Sequence, residues 1–456
     1  MKVFGSSGAR GVANEEVTPS FVLRVAMAAG TVWDADRVAV GRDTRTTGRM
    51  LSNAATSGLA SVGVDVDRLG VVPTPGLQAY AASEGVPALV VTASHNPPRY
   101  NGVKLVGADG VELSVADLER VEEAFLSESF DAASWAETGE ENAVEGARRR
   151  YVEQLLEAVD RERIAAADLT VALDPGHGAG ALTSPEFFRR LGCRVVTVNA
   201  QPDGHFPGRN PEPVAENLGD LGRLVEAADA DVGIAHDGDA DRAIFFDETG
   251  SYVEGDATLA ALAEAALSPG DTTVAAVNVS QRLVDVVDRV GASLELTPIG
   301  STRIMTRIRD LQAAGKTVPV AGEGNGGVVF PPYRTNRDGA YTAARFLELV
   351  AERPASEVVA PYDGYENVRV NVEYETEAQR EALVDAAERM ASEATDAEVT
   401  TIDGYRLDYG DAWVLVRPSG TEPVVRIYAE AGDRDRAEAL SSEAAAALRD
   451  ALVDAV

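Results

Sequence analysis

Cysteine is almost absent from this 456-residue chain: Cys193 stands alone, which excludes an intrachain disulfide or a thiolate zinc cluster. Histidine is nearly as scarce, with four residues, so a bound metal would be held mainly by oxygen, favouring magnesium or manganese over zinc. Lysine is the third shortage. Lys2, Lys104 and Lys316 are the only lysines among 41 basic residues, set against 74 acidic ones. The net charge of -33 repels nucleic acid and anionic lipid, and neither is expected as a partner. Such an acid excess suits a salt-rich medium, where screening over ~3 Å at about 1 M salt removes self-repulsion. Arginine codon bias accounts for the missing lysines but not for the added acids. Long hydrophobic runs are missing too. The longest helix-like apolar stretch, residues 257–267, contains Glu264 and is far shorter than the ~20 residues of a membrane span. Met1-Lys2-Val3-Phe4-Gly5-Ser6 has no signal-peptide core, so a cytoplasmic address is expected.

What is present is a regular alternation of strand and helix, which argues for α/β layers with largely parallel pairing. The length exceeds what one hydrophobic core serves and predicts about three domains. Thr18-Pro19 opens a helix that Gly30 should close. A strand is expected over residues 38–41 and a helix over 47–62. Val38-Ala39-Val40-Gly41-Arg42-Asp43, Val171-Ala172-Leu173-Asp174-Pro175-Gly176 and Val274-Ala275-Ala276-Val277-Asn278-Val279 form a weak internal repeat, each an apolar strand running into a polar loop. A polar stretch over 127–145 reads as a linker. Beyond residue 362 the pattern changes to an α+β module, with a long helix over 375–391 and a last helix over 433–455. The expected units are 1–148, 149–251, 252–362 and 363–456.

Chemistry concentrates in a few short stretches. Thr92-Ala93-Ser94-His95-Asn96-Pro97 follows the apolar run Ala88-Leu89-Val90-Val91; a serine there, on a turn kept out of a helix by Pro97 and Pro98, presents its hydroxyl to a cleft. His95 is a poor base for Ser94, because adjacent side chains diverge on an extended turn. No Gly-x-Ser-x-Gly elbow is present, which weighs against acyl transfer. Asp237, Asp239 and Asp241 alternate in Asp237-Gly238-Asp239-Ala240-Asp241-Arg242 and can turn toward one hard cation. A calcium loop of the EF-hand type, completed by Glu248, is the rival; Arg242 stands where that loop needs glycine. A solvated acidic turn is the bland alternative. A serine that carries a phosphoryl group beside a metal therefore fits better than a hydrolase triad. Lys104, rare by type, can transfer a proton or sit beside the phosphate.

Arg417-Pro418-Ser419-Gly420-Thr421-Glu422-Pro423, with Arg426 on the next strand, offers hydroxyls, backbone amides and forked cations as an anion nest. As a segment alone, it is equally a capped hairpin turn. Gly322-Glu323-Gly324-Asn325-Gly326-Gly327 looks like a phosphate loop but carries a carboxylate and no cation. Glu323 and Asn325 are better suited to sugar hydroxyls, and a plain glycine-rich turn is the competing account. Asp174-Pro175-Gly176-His177-Gly178 reads as a turn internal to its domain.

These pieces, together with Phe4-Gly5-Ser6-Ser7-Gly8-Ala9-Arg10-Gly11, occur in one order and spacing. In that arrangement the chain resembles the α-D-phosphohexomutase superfamily along essentially its whole length. The resemblance implies three related α/β domains with mixed sheets and a fourth, C-terminal α+β domain, heart-shaped around a central cleft. It implies that Ser94 is phosphorylated, that Ser94, Asp237, Asp239 and Asp241 hold one Mg2+, and that Lys104 and Arg10 serve as acid/base and phosphate-contacting groups with His95 in support. Arg242, Glu323 and Asn325 would bind the sugar phosphate, and Arg417, Ser419, Gly420, Thr421 and Arg426 its distal phosphate. The implied reaction interconverts hexose 1-phosphate and 6-phosphate through a hexose 1,6-bisphosphate, with glucosamine phosphate placed before mannose or glucose phosphate. A metal-dependent phosphatase is the alternative class, and a non-enzymatic sugar-phosphate or calcium-binding module a third. Four departures concern the loops: Asn325 where serine is usual, Gly327 where histidine is common, Thr297-Pro298-Ile299-Gly300-Ser301-Thr302 without the usual acid or histidine, and Ser6-Ser7-Gly8-Ala9 in place of threonine and isoleucine.

Overall fold

The computed structural model describes residues 4–5, 8–419 and 423–454. Its strands form four sheets. The first holds β1 (Ala9–Val12), β2 (Arg37–Arg42), β3 (Asp65–Val71), β4 (Ala88–Val91), β5 (Tyr100–Val106) and β6 (Glu141–Ala143) in the order β1-β5-β4-β2-β3-β6. The second holds β7 (Thr170–Asp174), β8 (Arg194–Thr197), β9 (Val232–Ala235), β10 (Ile244–Phe246) and β11 (Tyr252–Val253) in the order β11-β10-β9-β7-β8. The third holds β12 (Thr272–Ala276), β13 (Ser293–Thr297), β14 (Ala321–Glu323), β15 (Gly327–Phe330) and β16 (Arg334–Arg337) in the order β13-β12-β14-β15-β16. The fourth holds β17 (Glu366–Glu373), β18 (Glu398–Thr400), β19 (Tyr405–Asp408), β20 (Ala412–Pro418) and β21 (Val424–Ala431) in the order β17-β21-β20-β19-β18.

The first three sheets repeat one plan. In each, a central strand (β2, β7, β12) lies parallel to both its neighbours, and the far side continues antiparallel. The weak sequence repeat marks these three central strands. The parallel halves are buried on both faces, so β4 and β9 are uninterrupted apolar runs. The fourth sheet is antiparallel throughout, and helices Glu377–Glu393 and Arg434–Asp454 pack on it.

Local chemistry places the boundaries. Thr18 caps the helix Pro19–Trp33 by accepting from Phe21 N, but Gly30 does not end it. Gly30 is buried against Val62 and lets two helices approach. The stretch expected as a linker contains β6, which extends the first sheet beside β3. Thr376 and Gln379 form a reciprocal capping box at the start of the domain-four helix.

The second and third domains share one continuous apolar core, in which the Phe245 and Phe346 rings pack at 4.2 Å between centroids, tilted by 33°. The fourth domain has its own core. It meets the third through a small patch of Val277, Trp413 and Leu415. Arg406 Nη1 donates there to Val277 O and Val279 O, and its guanidinium lies 4.2 Å from the Trp413 ring. Among the described residues no helix is long and apolar enough to cross a membrane.

Candidate active site

β4, an interior strand of the first sheet, is buried along its whole length and delivers Thr92 just beyond its carboxyl end. Thr92 Oγ1 accepts from Ser94 N at 2.8 Å, and this turns the chain so sharply that Ser94 adopts φ 50°, a conformation L-residues seldom take. The turn aims Ser94 Oγ out of the first domain, where it donates to Asp237 Oδ2 at 2.6 Å. The expected divergence of His95 from Ser94 is overturned by the same backbone twist: His95 Nδ1 lies 3.2 Å from Ser94 Oγ. It also accepts from Arg242 Nη2 at 3.0 Å. Burial, then Arg242 and Arg10, hold the imidazole well below its ordinary pKa, so it is neutral near pH 7.

The aspartate loop connects β9 to β10. Ala240, at φ 57°, folds the loop so that Asp237, Asp239 and Asp241 each bring an oxygen within 4.8 Å of the others, all buried. Gly238 lies so near the first domain that a Cβ there would sit 2.6 Å from Ser94 O. Lys104, placed on β5 opposite Val90, donates to Asp239 Oδ2 at 3.1 Å and Asp241 Oδ2 at 2.9 Å. Thr74 Oγ1 adds a 2.6 Å bond to Asp239 Oδ2. Burial alone would discharge these groups. Asp237 is raised well above the ordinary carboxylate value by burial and by its two acidic neighbours. Burial also opposes the charge on Asp241, but Arg337, Lys104 and Arg242 outweigh it and keep its pKa low. Lys104 is the converse case: Asp239 and Asp241 overcome burial and keep the ammonium charged.

The donor set fits a hard dication. Asp239 Oδ1 and Asp241 Oδ1 are buried with no hydrogen-bond partner, a costly arrangement unless a cation completes it. The calcium rival fails, because Glu248 turns away and is held by Ser356 N and Oγ. Unused donors face the same space: Arg10 Nε and Arg242 Nε are buried and unpartnered, and Arg242 Nε is 4.0 Å from Asp237 Oδ2. Arg10 Nη1 reaches Asn96 Oδ1 at 3.1 Å.

Glu323 comes into range through a residue that sequence reading missed. Arg337 Nη2 bonds Asp241 Oδ2 at 2.6 Å, its Nη1 lies 3.9 Å from Glu323 Oε2, and Glu112 of the first domain is 3.9 Å away. Arg337 also takes the room beside Gly327, where a Cβ would lie 2.7 Å from its Cδ. The cation next to this turn therefore comes from β16. No motif marks Arg337; only folding brings it there. Asn325 Oδ1 accepts from Gly327 N, so that side chain shapes its own turn. In the fourth domain Arg417 pairs with Asp403 at 3.1 Å, and Asp403 also accepts from Ile299 N of the third domain. Ser419 N donates to Val424 O and Arg426 lies on β21, while Gly420 and Thr421 lie outside the described residues, as do Ser6 and Ser7.

Four family models describing successive parts of phosphoglucomutase/phosphomannomutase match the chain. They are α/β/α domains I, II and III over residues 1–132, 149–250 and 254–365, and the C-terminal domain over 367–447. The chain belongs to this family. It is 41% identical over 449 residues to a phosphoglucomutase/phosphomannomutase of Thermococcus kodakarensis, with 96% of each chain covered. It is 40% identical over 447 residues to a probable phosphoglucosamine mutase of Methanopyrus kandleri, covering 97% of this chain and 96% of the other. A phosphoglucomutase/phosphomannomutase family protein of Burkholderia thailandensis has a similar crystal structure, with a TM-score of 0.84 at 29% identity and 99% and 97% coverage. The phosphohexomutases are intramolecular phosphotransferases, and this chain is an enzyme of that class.

Proposed function

We propose that this phosphohexomutase works through phospho-Ser94, converting a hexose 1-phosphate to the 6-phosphate by way of a 1,6-bisphosphate. One observation carries the reading. Beside the aspartate loop lie buried acceptors without a hydrogen bond, Asp239 Oδ1 and Asp241 Oδ1, and buried donors without one, Arg10 Nε and Arg242 Nε, with Arg242 Nε standing off Asp241 Oδ1 at 3.9 Å. A cation meets the first pair and a phosphoryl group the second.

Asp237, Asp239, Asp241 and the Ser94 phosphoryl would hold Mg2+, which when bound offsets charge on the transferring group. Transfer breaks the bond from phosphorus to Ser94 Oγ and makes one to the free sugar hydroxyl, whose proton ends, in the balance, on Ser94 Oγ. Lys104, held on Asp239 and Asp241 and kept protonated by them against burial, is the acid that supplies that proton. His95, neutral and fixed by Arg242, orients Ser94 Oγ. Arg10 and Arg242 grip the phosphoryl oxygens. Glu323, tied to the centre through Arg337, and Asn325 bind sugar hydroxyls. Arg417, Ser419, Gly420, Thr421 and Arg426 bind the distal phosphate. After transfer the bisphosphate reorients and returns its other phosphate to Ser94, so a trace of hexose 1,6-bisphosphate activates unphosphorylated enzyme.

Glucosamine phosphate is the first candidate substrate, supported by the name of the Methanopyrus relative; mannose and glucose phosphates follow, as in the Thermococcus name. Mass spectrometry of the purified protein should find phosphate on Ser94, and incubation with glucosamine, mannose and glucose 1-phosphates should rank the sugars. Release of inorganic phosphate without isomerisation would favour the phosphatase alternative. Retained mutase activity in the Ser94→Ala variant would defeat the assignment.

A further inference from the structure

Two buried arginines outside the reacting centre repeat one another. Arg45 uses all five of its N–H donors: Nε on Asp43 Oδ2 at 3.0 Å, Nη1 on Pro97 O at 2.7 Å and Tyr100 O at 2.9 Å, and Nη2 on Ser94 O at 2.9 Å and Asn96 O at 2.5 Å. Arg209 in the second domain does the same. Its Nε meets Asp174 Oδ2 at 2.8 Å, Nη1 meets Asn210 O and Pro211 O, and Nη2 meets Asp174 O and His236 O, the last at 2.6 Å. Both partner aspartates are fully buried, Asp174 at the end of a central strand and Asp43 one residue beyond one. Each folds a tight turn by accepting, on its other oxygen, the N–H two residues on, from Arg45 N and from Gly176 N.

The repetition follows the sheets. β2 and β7 hold the same place, and the strands parallel to them, β4 and β9, lead into the Ser94 loop and the aspartate loop. Arg45 therefore grips the Ser94 loop at four carbonyls, and Arg209 holds the start of the aspartate loop at His236 O while its Nη1 braces its own segment. One segment joins the two grips. Gly204 bridges to Arg45, at a spot where a Cβ would be 2.4 Å from Thr44 O. Phe206 then lays its ring 5.2 Å from the Arg45 guanidinium and beside Gly238. Arg209 follows on the same segment.

We propose that Arg45 and Arg209 are positioning residues that hold Ser94 and the aspartate loop in register, so that Ser94 Oγ stays at Asp237 across the domain boundary. The inference rests on Ser94 as the phosphoryl carrier. Asp43 extends the grip to Ser94: its Oδ2 accepts from Thr92 Oγ1 at 2.7 Å, and Thr92 Oγ1 accepts from Ser94 N. Lysine cannot substitute, since an ammonium has three donors and no planar fork.

The test compares wild type with the Arg45→Lys and Arg209→Lys variants on glucosamine, mannose and glucose 1-phosphates, with circular dichroism to count folded protein. Displacing a nucleophile by about 1 Å costs about 100-fold, so kcat per folded molecule should fall about that far while KM stays within about threefold. The 31P resonance of phospho-Ser94, after loading with glucose 1,6-bisphosphate, should shift or broaden in the Arg45→Lys variant. A folded variant with wild-type kcat and an unmoved resonance would overturn the proposal, as would a change confined to KM. If the lysine variants do not fold, the Thr92→Val variant replaces them, with the same loss in kcat expected and an unchanged kcat overturning the idea. A wild type that carries no phosphate on Ser94 and isomerises none of the three sugars would instead defeat the underlying assignment, and the positioning role with it.

Discussion

Thr74 donates from the first domain to Asp239 of the second, Oγ1 to Oδ2 at 2.6 Å, while Thr74 N takes Asp239 O at 3.0 Å. Side chain and main chain of one residue thus dock the aspartate loop against a neighbouring domain. Removing the hydroxyl with Thr74→Val leaves a buried carboxylate short of a donor, which costs about 1–3 kcal/mol. Chemical denaturation should show that loss, and turnover should fall with it; an unchanged midpoint and rate would remove the docking role.

The Asp239→Asn variant separates chemistry from folding. It keeps the shape of the loop but exchanges the ion pair with Lys104 for relief of repulsion with Asp241, so the native circular-dichroism spectrum should be retained while the melting temperature shifts. Turnover should drop by orders of magnitude, because the centre loses a carboxylate ligand. Stripping wild type with a chelator should have the same effect, restored by added Mg2+. An unaffected rate in either case would remove the metal from the reading.

Asp256 provides a pH signature beside the Glu323–Asn325 turn, where a Cβ on Gly324 would lie 2.1 Å from Asp256 Oδ1. Burial, reinforced by Glu430, lifts its pKa from 3.8 to about 6. A raised acid favours the folded state only while protonated, so its contribution is complete below its ordinary value and is lost as pH rises through about 6. The Asp256→Asn variant lacks this loss. Relative to that variant, wild type should weaken by about 3 kcal/mol between about pH 4 and pH 6, read as diverging melting temperatures. Parallel curves would sink the prediction.

Cys193 is buried in the second domain, and burial pushes its thiol up to about 12. A thiol so raised holds little thiolate at pH 8. Native protein should react with a thiol-specific chromogen only on unfolding; rapid labelling of native enzyme would contradict the burial.

Trp413 anchors the fourth domain. It is almost fully buried beneath Arg406, and its Nε1 donates to Glu430 Oε1 at 3.0 Å. The Trp413→Ala variant should lose about 3–5 kcal/mol and become easier to cleave by protease between the third and fourth domains. Unchanged proteolysis would show that other contacts hold the domain.

The chain sequence determined much of this enzyme by itself. Apolar runs bounded by polar turns, such as residues 88–91 before Ser94 and 232–235 before Asp237, are local signals. They fix strands, the loops after them and the chemistry on those loops, because period, burial and turn-forming residues act over a few positions. Gly30 misled for the same reason: a glycine near a helix end reads as a stop, and only the neighbouring helix shows it to be a contact. Tertiary structure decided what distance along the chain conceals. His95 faces Ser94 because a positive φ follows from a bond to Thr92. Arg337 reaches Asp241 from 96 residues away, and Arg45 and Arg209 grip loops that no motif connects to them. Arg337 crosses from the third sheet to the aspartate loop of the second domain, whereas these contacts of His95, Arg45 and Arg209 lie within their own domains; in each case the contact joins stretches that only the folded backbone brings together.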